Sequence, residues 1–311
     1  MLFASLTLAA LAVILAWPVP VLLARAHWPS RSPGVALLLW QSIALTGGLS
    51  MIGSLVTFGL IPFGGSIISG LLDLPPLLFA GALPPGVGLI HVFALSSAAL
   101  LAAHLVLNLI VTIVRTERQR RRHRSLVDLL STPLVGRPGT LILDSPAPVA
   151  YCLPGARTVT VLSEGLVSLL DADQLEAVIA HERAHLQQQH HILLVAFESW
   201  RGSLPWFPIA TLAQVAVSLL IEMLADDQSR RSTDNTTLAE AIALVGSAET
   251  QNIVRRGSSA VAVTDPAPPA VLVRMRRLTN PEPQLTLAAR TGILGLAALL
   301  LAFPVVLLFT S

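Results

Sequence analysis

The chain has 311 residues, of which 53% are hydrophobic and 12% charged, with a formal net charge of +2 at neutral pH. A mean hydropathy of +0.71 excludes an ordinary soluble protein of this size and points to an integral membrane protein. The single cysteine, Cys152, excludes an intramolecular disulfide and a thiolate zinc cluster.

Four segments reach the roughly 20 residues that a helical span needs: Leu2–Ala24, Val35–Phe58, Val87–Val114 and Thr291–Phe309. Met1 precedes no basic stretch, so the first is read as a retained span rather than a signal peptide, kinked near its end by Pro18 and Pro20. Between the second and third, Ser66–Leu72 and Leu77–Leu83 are too short to cross and suit an interfacial or re-entrant position. The spans hold no charged residue and few strongly polar ones beyond Gln41, His91, His104 and Asn108, which disfavours a transporter. His104 and Asn108, four apart, read as a hydrogen-bonding pair within or between helices.

All 20 basic residues are arginine, and none lies between Pro33 and Val114. Arg25 and Arg31 flank the first loop, and Arg115, Arg118, Arg120, Arg121, Arg122 and Arg124 follow the third span. The positive-inside rule puts Ala26–Gly34 and Arg115–Arg290 in the cytoplasm, with both termini and the Leu60–Gly86 loop outside. Directly after a span and without interleaved aromatics, the arginine run reads as an anchor on anionic lipid headgroups of the bilayer. Ser125–Arg290 carries 12 arginines against 16 carboxylates, so no nucleic-acid partner is expected.

In the cytoplasmic part, Thr140–Asp144, Val149–Leu153 and Thr158–Leu162 read as short strands separated by Pro and Gly turns. Helices are predicted over Glu164–Leu170, Asp173–His190, Ile209–Arg230 and Thr237–Glu249. Gly257–Pro269 reads as a flexible loop, and Val271–Leu278, with Arg274, Arg276 and Arg277, leads back to the membrane. The domains expected are a membrane region over 1–114, a cytoplasmic domain over 115–284 and a last span within 285–311.

The second cytoplasmic helix contains His181-Glu182-Arg183-Ala184-His185, an H-E-x-x-H motif. Asp173 and Glu176 suit a capping box opening that helix, and Leu175, Val178, Ile179 and Leu186 supply an apolar stripe. Residues four apart share a helix face, so both imidazoles can meet one zinc ion with Glu182 beside the vacant position as proton acceptor. The competing reading is a pair of surface histidines on an ordinary helix. A third ligand is needed to leave one position open, and Glu222, 37 residues after His185 on another helix, can supply it. Asp226 shares its face and can accept the second ring N–H of a zinc-bound histidine, while Asp227 is turned away and expected exposed. Without the first motif, Glu222 and Asp226 would read as a solvated acidic helix end.

His181-Glu182-x-x-His185 followed by Glu222-x-x-Ala225-Asp226 resembles the gluzincin pattern, in particular the membrane metallopeptidases of the BlaR/MecR antirepressor type, peptidase family 56. It is also similar to the CAAX prenyl proteases and HtpX-type proteases. Ala150 to Gly155, Thr158 to Leu162 and Gly165-Leu166 resemble what precedes the motif in that family. The resemblance implies a mainly α membrane protein with four transmembrane helices and a cytoplasmic α+β gluzincin-like zinc protease domain, in the bacterial cytoplasmic membrane. It implies one Zn2+ per chain, Glu182 as base, and an edge strand whose Ala150, Tyr151 and Cys152 pair with substrate backbone. Cys152 is equally readable as an ordinary strand position.

The antirepressor resemblance implies a protein substrate near the membrane, a transcriptional repressor among the candidates. The sensing members carry a large extracellular domain after the last span, whereas this chain stops at Ser311, so a β-lactam response is not expected. The alternatives are a membrane-protein quality-control protease of the CAAX or HtpX kind and a non-catalytic scaffold. His190, His191, Arg230 and Arg231 are candidates for oxyanion donor by sequence proximity alone.

Overall fold

The structure is a computed structural model that describes residues 1–81, 84–134, 136–153, 159–205, 207–255 and 270–310. The loop expected over Gly257–Pro269 lies outside the described residues. The chain opens with helices α1 (Leu2–Ala16), α2 (Pro18–Arg25), α3 (Pro33–Gly59), α4 (Ile67–Ala80) and α5 (Leu89–Leu130). Strands β1 (Ser131–Pro133), β2 (Thr140–Leu143), β3 (Ala150–Leu153) and β4 (Val159–Ser163) follow. Helices α6 (Glu164–Leu169), α7 (Ala172–Gln187), α8 (His190–Ser203), α9 (Pro208–Ser229), α10 (Asn235–Arg255), α11 (Ala270–Thr279) and α12 (Leu287–Thr310) complete it. Two compact units emerge, one of Met1–Thr112, Val195–Val217 and Leu285–Ser311, the other of Ile113–Leu194 and Ser218–Gln284.

The first unit is helical and apolar. Among the described residues, five helices are long and apolar enough to cross a membrane: Leu2–Arg25, Pro33–Gly59, Leu89–Leu130, Ile209–Ser229 and Leu287–Thr310. Four overlap the predicted spans, the third running on through the arginine run to Leu130; the fifth is the helix on which the sequence places Glu222 and Asp226. The first breaks at Trp17 (φ −129°, ψ −75°), because the Pro18 ring disfavours the helical conformation in its predecessor. The two short pieces expected around Pro75 and Pro76 join into the single helix α4.

Helix α8 was not expected, and at 14 residues it is too short to span. Its C-terminal part is tied to α5 by polar groups that would otherwise be unsatisfied in an apolar setting. Asn108 Nδ2 donates to the Ser199 carbonyl and to Ser203 Oγ, both at 2.7 Å, and His104 Nε2 lies 3.2 Å from the Ser203 carbonyl. The polar pair read from the sequence thus bonds between helices. The Trp200 ring fills the place a side chain at Gly48 would need, with an added Cβ falling 2.7 Å from it, so α8 also approaches α3 closely.

The second unit is a small sheet with helices. Its strand order is β1-β2-β4-β3; β2 and β4 are parallel, and β3 runs antiparallel to β4 with Ala150 opposite Leu162 and Cys152 opposite Thr160. β1 was missed because three residues carry no readable period. Ser163 Oγ accepts from Leu166 N–H at 3.1 Å, capping α6, and from Val149 N–H at 2.9 Å. A Cβ at Gly165 would overlap the Pro146 carbonyl oxygen, so this turn admits only glycine.

Helix α7 starts one residue earlier than predicted, with its N-cap at Asp171 rather than Asp173. Asp171 Oδ1 accepts from Gln174 N–H at 2.8 Å and Gln174 Oε1 accepts from Asp171 N–H at 3.2 Å, closing a capping box. Asp171-x-x-Gln174 has the same spacing as Asp173-x-x-Glu176, and capping there adds helical hydrogen bonds. The helix also ends at Gln187 rather than His190, because Gln189 adopts a left-handed conformation (φ +51°) that turns the chain into α8. Two sides of α7 are each held by an apolar cluster. Leu175 and Ile179 pack with Leu162, Leu166 and Ala241, and Ala177 packs with Leu238, Ile242 and Leu278. These fix the rotation of α7 and hence where its histidines point.

Candidate metal centre

The motif residues sit in the last turns of α7, within the second unit. His181 Nε2 and His185 Nε2 are 3.1 Å apart; His181 Nε2 lies 3.3 Å from Oε2 of Glu222 on α9 and His185 Nε2 lies 3.3 Å from its Oε1. With zinc–ligand bonds of about 2.0–2.1 Å, two donors on a tetrahedron are separated by about 3.3 Å, close to the spacing of the two imidazole nitrogens and of each from its nearer Glu222 oxygen. Among the described residues His181, His185 and Glu222 form one group able to hold a metal ion. The chemistry of the donors agrees: two imidazoles and a carboxylate leave a fourth position open.

Asp226 is 1% exposed, and its Oδ1 lies 3.0 Å from His181 Nδ1, the ring atom facing away from the three donors. It stands where a carboxylate fixes the tautomer of a metal-binding histidine. Glu182 lines a cavity of about 240 Å³ together with His181, Glu222, Val178, Leu238, Ile242, Val271 and Arg274. Burial pushes its carboxyl up to about 7, the Glu222 charge adding to the effect and the charges of His181 and Arg274 opposing it. A carboxylate tuned near neutrality can both take and return a proton.

Arg274 on α11 is the functional residue that sequence reasoning missed. Its Nε and Nη2 donate to the two oxygens of Asp226 at 2.9 and 2.7 Å, and its Nη1 lies 2.8 Å from Glu222 Oε2. The bidentate pairing offsets the Asp226 charge, and the third contact draws the same guanidinium against Glu222 in one largely buried site. The available signal was a charge balance: buried Glu222 and Asp226 need a cation, and three arginines stand on one short helix. Arg277 takes Asp227 at 2.6 Å, so Asp227 is half-buried and paired rather than exposed.

The proximity candidates for an oxyanion donor go elsewhere. Arg230 bonds Asn235 at 2.7 Å, Arg231 is exposed, and neither His190 nor His191 lines the cavity. Ala150, Tyr151 and Cys152 fall on β3, which ends the strand order among the described residues and packs beside α7. The Tyr151 ring lies 5.0 Å from that of His123, Cys152 Sγ is 3.6 Å from Thr160 Oγ1, and Ala150 packs on the core under α6. Burial pushes the Cys152 thiol up, away from metal-binding thiolate character.

Residues 115–259 match Peptidase family M48. The matched stretch contains His181, Glu182, His185, Glu222 and Asp226 and stops short of Arg274. The chain is 30% identical over 190 residues to a protein named Protease HtpX homolog from Pyrococcus abyssi and 27% identical over 189 residues to one from Pyrococcus furiosus. Each match covers 48% of this chain and 64% of the relative, so the chain spans less than two thirds of those relatives. No solved structure matches. The similarity to M48 and HtpX proteins follows the HtpX branch of the resemblance carried by the motif.

Proposed function

We propose that the chain is a membrane-anchored zinc-dependent endopeptidase that cleaves membrane proteins or polypeptides close to the cytoplasmic face, a quality-control role of the HtpX kind. The observation that carries this reading is the convergence of His181, His185 and Glu222 on one place with Glu182 in the adjoining cavity. The HtpX homologues favour this role over cleavage of a repressor, for which nothing beyond the motif speaks.

His181, His185 and Glu222 would hold the ion, which supplies Lewis acidity for a peptide carbonyl and acidifies a water. Glu182 takes the proton of the attacking water and returns it to the departing amine. Asp226 holds His181 by its Nδ1, and Arg274 keeps the two carboxylates ionised and aimed. The outer edge of β3, over Ala150–Leu153, offers backbone groups to an extended substrate. The Arg115–Arg124 run keeps the catalytic unit on the cytoplasmic side of the bilayer.

The test is hydrolysis of a quenched-fluorescent library of unfolded peptides by the detergent-purified chain. Cleavage that a chelator abolishes and zinc restores is expected; cleavage indifferent to chelation contradicts the proposal.

A pH dependence follows from His181. Burial pulls its imidazolium down, but the adjacent Asp226 and Glu222 carboxylates outweigh this and raise it to about 9 in the metal-free protein. His185, pushed to about 4 chiefly by burial, is already neutral. At neutral pH, zinc entry therefore displaces a proton from His181, and apparent affinity rises up to about tenfold per pH unit until pH 9. Competition titrations from pH 7 to 10 check this; a flat profile below pH 9 contradicts it.

A further inference from the structure

His190 is 3% exposed and does not line the cavity that its proximity in sequence suggested. Its Nδ1 lies 2.9 Å from His185 Nδ1, and its Nε2 lies 2.7 Å from Gln188 Oε1. The left-handed Gln189 makes this possible, since the turn between α7 and α8 brings His190 back behind His185.

Two ring nitrogens at hydrogen-bond distance share a single proton, and only one assignment suits the whole chain of contacts. Gln188 Oε1 is an acceptor, so His190 carries its proton on Nε2 and offers a bare Nδ1. That bare nitrogen accepts from His185 Nδ1–H, which leaves the lone pair of His185 on Nε2, the atom facing His181 and Glu222. We propose that His190 is a positioning residue that fixes the tautomer and ring orientation of His185 for zinc, with Gln188 fixing His190 in turn. The inference rests on the zinc reading above. It gives each histidine ligand its own partner, Asp226 for His181 and the neutral His190 for His185. Burial lowers the His190 imidazolium, in keeping with a neutral acceptor.

Asn and Leu have nearly the same shape, and only Asn places an acceptor oxygen where His190 Nδ1 sits. Zinc affinity is therefore measured by chelator competition on the detergent-purified full chain of wild type, His190→Leu, His190→Asn and Gln188→Leu. Cobalt absorption spectra and unfolding of the metal-free forms accompany it. Expected are a loss of about 10–100-fold in His190→Leu with an altered cobalt spectrum, and near wild-type affinity and spectrum in His190→Asn. Gln188→Leu, on an exposed turn, is expected to lose about threefold without loss of folding. A purely packing role predicts that Leu does as well as Asn in this buried place. Equal affinities in the Leu and Asn variants, whether high or low, overturn the inference while wild type binds zinc. Should His190→Leu fail to fold, wild-type affinity in Gln188→Leu or a lost affinity in His190→Asn overturns it. Wild type that takes up no zinc overturns the underlying reading instead.

Discussion

Replacing Glu182 by Gln lowers peptide hydrolysis by about 100- to 10,000-fold, the range of a general base, and leaves zinc binding intact. Glu182 lines the cavity beside the donors but is not one of the three that converge. Gln keeps the size and the polar surface of the side chain and loses only the capacity to accept a proton. Burial moves the Glu182 carboxyl up to about 7, in keeping with a group that exchanges a proton near neutrality. Single-turnover hydrolysis and zinc content measured on the same preparation check both halves. A variant that hydrolyses at the wild-type rate would remove Glu182 from the mechanism; one that loses zinc would make it a ligand.

Arg274→Met has the second large effect, and it falls on stability. Asp226 is 1% exposed; Arg274 donates to both of its oxygens, and His181 Nδ1 lies 3.0 Å from Oδ1. Met fills much of the arginine's volume but leaves Asp226 as a buried carboxylate with its main counter-charge gone. Breaking such a pair destabilises by about 3–5 kcal/mol. Unfolding of the catalytic unit in metal-free protein should show this, and the double variant Arg274→Met with Asp226→Leu should recover much of the loss. A single variant as stable as wild type would mean that the pair contributes little.

Much of the site was legible because its logic is local. His181, Glu182 and His185 lie within one helical turn, and period alone places them on one face of α7. Glu222 and Asp226 were legible from what zinc chemistry lacks, namely a third ligand and an acceptor for a ring N–H. Arg274 was not, because 48 residues separate it from Asp226 and no spacing rule links α11 to α9. His190 was misplaced for a local reason: an unbroken helix would carry it past His185, and only the left-handed Gln189 turns it back.

The fold divides the same way. Apolar runs and the Trp17–Pro18 break were readable, whereas α8 was hidden because fourteen residues with Glu198 and Arg201 resemble neither a span nor an amphipathic surface helix. The helix that carries Glu222 is also long and apolar enough to cross a membrane, with its carboxylates confined to the last turns. Length and composition mark it so, but its sequence alone does not show that Val195–Val217 clusters with the other apolar helices.

The central claim is that His181, His185 and Glu222 hold one zinc ion. The direct measurement is the zinc content of the detergent-purified chain, wild type beside Glu222→Ala. About one zinc per chain in wild type and its loss in Glu222→Ala is the predicted result. Folded wild type that retains no zinc when supplied with it, or a Glu222→Ala variant that binds it as tightly, would contradict the account.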